Sequence, residues 1–299
     1  MKTKERKAIL FAGLAGCMWG TIGLFVNWLH RFEIESLELT VSRLVISVIL
    51  LGFFLLLFQR KLLKIKLRDL PGFFVAGVCC LLLFNVSYGL AIERSSMSMA
   101  AVLLYTSPAF VTAISVVVFK EKCTIRKGVA VLLAVLGCAF VSGIMRGILS
   151  FPLSAYLWGL CSAISYAAYS ITAGKLLKRY HPATVLFYAF LTAAFAGSFL
   201  VDFGEIGRRV VQETVAGVAL LLAALICNLF SYLCYNLALK DAPASHVAVA
   251  ASIEPAAASV LGLLVLKERI DVFGVIGILC ILCAILVQNW ERREKAHAG

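Results

Sequence analysis

Apolar residues in this chain come in long runs, not in stripes. Short polar tracts such as MKTKERK at the start and QRKLLKIKLRD at 59–69 separate stretches of about twenty residues with almost no charge. Strict alternation, the mark of half-buried strands, is absent. The runs predict ten membrane-spanning helices: Ala8–Leu29, Leu37–Phe58, Phe73–Ile92, Met97–Phe119, Val129–Ile144, Leu153–Leu176, Thr184–Val201, Val215–Leu239, Ala244–Leu266 and Val272–Trp290. Most connections are a few residues long, so neighbouring spans run antiparallel. The longer segment 202–214 predicts an interfacial helix with Val210 and Val211 dipping into lipid.

Composition agrees with a lipid-facing surface. The 299 residues are 62% hydrophobic and 15% charged, far from a soluble domain's balance. A net charge of +12 raises nucleic acid as a partner. The basic residues lie in tracts between apolar runs, however, where cytoplasmic loops carry them, so no nucleic-acid partner is expected. With the N-terminus inside, twenty Lys and Arg fall on the inner side and seven on the outer. Both termini are therefore expected in the cytoplasm of a multi-pass plasma-membrane protein, a bacterial inner membrane being the setting. The ten cysteines sit mainly inside apolar runs. Cys280 and Cys283 form a CxxC without a polar surround, so neither a metal site nor a cofactor is expected.

The chain resembles itself at a shift of 147 residues. Tyr88, Leu90, Ala91, Ser98, Ala101, Val102, Pro108, Ala109, Val118, Lys120 and Glu121 recur as Tyr235, Leu237, Ala238, Ser245, Ala248, Val249, Pro255, Ala256, Val265, Lys267 and Glu268. Trp19 and Tyr166 share that frame. Residues 1–146 and 147–299 thus read as two five-helix repeats. Five is odd, so the second repeat enters the membrane inverted, the architecture of carriers whose substrate site lies at mid-depth.

The stretches SSMSMAAVLLYTSPAFVTAISVVVFKEK (Ser95–Lys122) and ASHVAVAASIEPAAASVLGLLVLKER (Ala244–Arg269), with AGCMWG at Ala15–Gly20 and Arg43 in the second span, resemble the EamA-type family of the drug/metabolite transporter superfamily. The resemblance implies an all-α membrane protein, ten transmembrane helices as two inverted five-helix repeats around a central cavity. It also implies secondary transport, often export, of small metabolites such as amino acids. In the sixth span Tyr166–Ala167 stands where that family's Trp-Gly pattern would recur.

Two charges lie deep in apolar sequence, Arg43 and Glu254. Arg43 is roughly 10 Å from the outer edge and Glu254 roughly 16 Å from the inner edge at 1.5 Å per residue, so both reach a similar level. Buried charge is costly unless paired or used. Arg43 is a candidate for a substrate carboxylate, and Glu254 for an amine or a coupling proton; a structural pair is the alternative. Pro108 and Pro255 each remove a mid-span donor, making them hinges, ligand contacts or packing kinks. Asn85, Tyr88, Tyr105, Tyr166, Tyr169, Asn228, Tyr232 and Tyr235 form a polar aromatic set suited to an amphipathic cavity or to interhelical hydrogen bonds. Gly16 and Gly20 form a GxxxG for close helix approach. No Walker A or HExxH pattern occurs, so an enzyme is not expected. The function expected is an alternating-access exporter of amino acids or amphipathic compounds, with a passive channel or facilitator as the alternative and an intramembrane enzyme as a weaker one. Its partners would be a small solute, lipid and protons, in a monomer or homodimer.

Overall fold

Helix is the form in which a single segment satisfies its own backbone inside lipid, and the described residues are helical with short connections and no strands. The computed structural model describes residues 2–95, 100, 103–120, 124–141, 151–265 and 272–297. The repeat boundary at 146/147, Ser98, Ala101, Val102, Glu121, Lys122 and 267–269 lie outside them.

In chain order the helices are α1 (Lys2–Trp19), α2 (Ile22–His30), α3 (Ser36–Phe58), α4 (Leu70–Phe74), α5 (Leu83–Arg94), α6 (Ser107–Phe119), α7 (Ile125–Val141), α8 (Leu153–Leu176), α9 (Pro182–Gly197), α10 (Phe203–Gln212), α11 (Thr214–Ala223), α12 (Ser231–Asp241), α13 (Ala244–Ala251), α14 (Glu254–Val265) and α15 (Val272–His297). The π-helical segments Val75–Leu82 and Ala224–Phe230 join α4 to α5 and α11 to α12. Five rods among the described residues are long and apolar enough to cross a bilayer: Lys4–His30, Ser36–Phe58, Leu67–Ile92, Thr214–Asp241 and Ala244–Val265. Ser107–Phe119, Pro182–Gly197 and Val272–Val287 are shorter apolar helices.

The internal repeat is visible in backbone detail. In the frame that aligns Tyr88 with Tyr235, the two π segments coincide almost residue for residue. Turns at Tyr105–Thr106 and Ser252–Ile253 also coincide, each just before a proline that opens the next helix. A proline there loses nothing, because the first helical N–H groups have no partner in any case. The mid-span prolines therefore restart helices instead of kinking continuous ones.

Packing follows the same pseudo-two-fold rule. α1 packs on α12 as α8 packs on α5, and α1 on α13 as α8 on α6. α3 meets the second π segment as α9 meets the first. Each π segment receives a hydroxyl from the other half: Ser47 Oγ donates to the Ala224 carbonyl at 3.2 Å, and Thr192 Oγ1 to the Phe73 carbonyl at 3.2 Å. α7 and α15 pair with each other at the edge, where a Cβ on Gly137 would stand 2.8 Å from the Gly277 carbonyl oxygen. Leu132, Leu136, Leu279 and Leu286 are exposed on that pair, a surface suited to lipid.

Polar ties fasten the loops. Arg179 donates to Asp69 Oδ1 at 2.9 Å and the Tyr180 hydroxyl to Asp69 Oδ2 at 2.7 Å. Arg209 meets Glu38 Oε2 at 3.0 Å and also donates to the Glu33 carbonyl. That tie turns α10 inward. The expectation for Val210 is overturned: it packs against the bundle at Gly217, while Val211 remains exposed.

Candidate functional site

A cavity of about 90 Å³ lies where the helix irregularities meet. At one water per roughly 10–15 Å³ of such volume, it holds several waters or part of a small solute. Its wall comes from both repeats: Trp19 and Ile22 flank the α1–α2 turn, Arg43 comes from α3, and Phe84, Asn85 and Tyr88 from α5. Leu104, Tyr105 and Ser107 surround the turn before α6, and Tyr166 comes from α8. Cys227, Asn228 and Tyr232 come from the second π segment and α12, and Ala248, Ala251, Ser252 and Glu254 surround the turn before α14.

Close approach of α1 makes this junction. A Cβ on Gly16 would lie 2.5 Å from the Ala251 carbonyl oxygen, and one on Gly20 would lie 2.9 Å from that of Glu254. The GxxxG thus seats α1 directly on the α13–α14 break. Trp19 consequently stands among Tyr232, Tyr235 and Tyr166, with ring centroids 5.0, 5.3 and 6.1 Å away. Edge-on aromatic contacts of this kind add about 0.5–1.5 kcal/mol each beyond area burial.

The two deep charges do not neutralise each other. Arg43 is only 4% exposed, its Nη2 reaches Thr40 Oγ1 at 3.3 Å, and its Nε has no partner. It lies near Cys227 and Tyr232. Glu254 lies on the other side, against the Tyr105 hydroxyl. No ion pair joins them among the described residues.

Of the twelve residues singled out in the sequence, eight line the cavity: Arg43, Asn85, Tyr88, Tyr105, Tyr166, Asn228, Tyr232 and Glu254. The other four stand behind its wall. Tyr169 and Tyr235 are 1% and 0% exposed, and their hydroxyls meet Asn236 Oδ1 at 3.1 Å and Ser170 Oγ at 2.7 Å. Pro108 and Pro255 are buried at the second positions of α6 and α14; they shape the wall by starting its helices. Trp19, Phe84, Ser107, Cys227 and Ser252 line the cavity without having been predicted to do so. Two signals pointed to them: Ser107 and Ser252 are the repeat mates of Glu254 and Tyr105, and Trp19 is the mate of Tyr166.

Among the described residues no three His, Cys, Asp or Glu side chains gather to hold a metal. Cys280 and Cys283 are free thiols.

Comparison with known proteins places these features in a family. The model of the EamA-like transporter family matches residues 6–143 and again 153–290, at the shift that aligns Tyr88 with Tyr235. The "Uncharacterized inner membrane transporter YicL" of Salmonella typhimurium is 24% identical over 98% of this chain and 99% of its own length. The "Uncharacterized transporter YxxF" of Bacillus subtilis is 23% identical over 98% and 93%. A crystal structure superimposes with a TM-score of 0.80 over 96% of this chain and 98% of that one, at 15% identity, and shares the fold alone. The chain is a multi-pass membrane protein belonging to the EamA-like transporter family, whose domain it carries twice.

Proposed function

We propose that this protein is a secondary active transporter, working as an exporter of small metabolites such as amino acids or amphipathic compounds across a bacterial plasma membrane. It has ten spans in two inverted repeats, with both termini in the cytoplasm. One observation carries the reading: a polar, aromatic cavity is built by both repeats at the point where their helices are interrupted. Such interruptions expose backbone only where it lines a cavity or meets protein. Equivalent breaks in two inverted halves allow the halves to exchange conformations and so to open the site to either side in turn.

Glu254 is the proposed proton carrier. Its carboxyl faces the cavity and meets a neutral hydroxyl, not a cation, so it can take up and release a proton without breaking an ion pair. The test is flux in proteoliposomes, with labelled amino acids and amphipathic amines and with or without a pH gradient. Accumulation against a concentration gradient, driven by the pH gradient, is the expected result. Flux that only ever runs downhill and ignores the pH gradient would make the protein a facilitator.

A further inference from the structure

Two buried side-chain atoms on the cavity wall lack a hydrogen-bond partner, Arg43 Nε and Asn228 Nδ2. Both are donors, and their residues are only 4% and 5% exposed. Neither an unmet acceptor nor an unmet hydroxyl from the wall stands beside them, and Glu254 has Tyr105. The empty cavity therefore lacks acceptors. A buried donor without a partner costs about 1–3 kcal/mol, more when charged. A guanidinium at this depth also lacks a counter-charge, since no carboxylate reaches it among the described residues.

Neighbouring groups narrow the missing partner. A guanidinium presents a planar fork that fits two carboxylate oxygens at once, and a side-chain amide N–H adds a third donor. One cation matches one negative charge, so a monocarboxylate fits better than a dianionic phosphate. Trp19, Phe84 and Tyr232 supply apolar faces for the remainder of a small molecule.

We propose that Arg43 and Asn228 form a carboxylate-binding corner, and that the solute carries one carboxylate on a short apolar body. This rests on the transport reading above and extends it to the solute's head group. A zwitterion satisfies the corner as well as a simple acid does; an amine or an alcohol of the same body does not.

The test uses the full-length protein in nanodiscs and three probes that differ only in the head group: 3-phenylpropanoate, 3-phenylpropan-1-ol and 3-phenylpropylamine. Acetate and benzoate serve as smaller acids. Binding is read by calorimetry and by the shift in thermal unfolding. The acids are expected to bind at least about tenfold more tightly than the alcohol and the amine. Arg43→Gln removes that preference. Asn228→Asp supplies the acceptor from within the protein, so it abolishes acid binding while keeping or raising thermal stability. This second variant covers the case in which Arg43→Gln fails to fold. No acid binding at millimolar concentration, preference for the amine, or acid binding unchanged in both variants overturns the proposal. The proteoliposome assay separates the two readings: an acid that binds through Arg43 but is never moved defeats transport alone, and a solute moved equally well by Asn228→Asp defeats the corner alone.

Discussion

At the residue scale, space around the glycines makes the sharpest prediction. Gly16 and Gly20 meet backbone carbonyls across the α1–α14 junction, whereas nothing lies within 4 Å of a Cβ placed on Gly13 or Gly23. Gly16→Ala and Gly20→Ala should each cost about 1–3 kcal/mol through overpacking, read as a lower unfolding temperature in detergent. Gly13→Ala and Gly23→Ala should be neutral; equal effects at all four would dismiss the close approach. Cavity-facing and walled-in tyrosines should likewise part company. Tyr235→Phe loses the Ser170 contact and about 0.6 kcal/mol with unchanged solute affinity, whereas Tyr232→Phe should alter affinity, both measured by calorimetry. Glu254→Gln should abolish the dependence of flux on a pH gradient while leaving downhill exchange, and a surviving gradient dependence removes the proton role. Residue type told much here. Arg43 and Glu254 were legible because charge in an apolar run is rarely idle, and the tyrosines because they clustered on a few helices. Which tyrosines face the cavity was not legible, since the π segments add a residue and rotate everything after them away from a regular 3.6-residue repeat.

At the element scale, caps and interruptions define where helices begin. α9 opens on His181, whose Nδ1 accepts from the Ala183 N–H at 3.2 Å, which requires the neutral ring. Burial, and then the nearby Lys240 ammonium, hold this imidazole below its usual range. The sign follows: a lowered folded-state pKa gives a contribution that is whole above the unfolded value of about 6.5 and lost as pH falls through the folded value. Thermal stability should therefore decline below about pH 6.5 more in the wild type than in His181→Asn, which caps without titrating; identical pH profiles would remove the cap from the account. Hydrophobic runs revealed the spans because apolar length is a strong signal. The breaks at 20–21, 105–106 and 252–253 were less visible, because a proline looks the same to sequence whether it kinks a helix or starts one. α10 shows a different limit: its apolar face was plain, but the Arg209–Glu38 tie decides that most of this face turns toward the bundle.

At the scale of the whole molecule, inversion of the halves is open to a direct test. Cysteines placed at Lys64 and Gly207, in a background without the native thiols, should be labelled by an impermeant reagent from opposite sides of the membrane. Labelling of both from one side would end the inverted reading. Another consequence comes from the way α1 packs on α12 while α8 packs on α5. Each repeat surrenders its first helix to the other's third, so neither carries a complete interior of its own. A gene severed between residues 142 and 150 should yield two fragments that are degraded when made separately and reconstitute one carrier when made together. Such a protein is, in effect, a dimer whose subunits happen to be tethered.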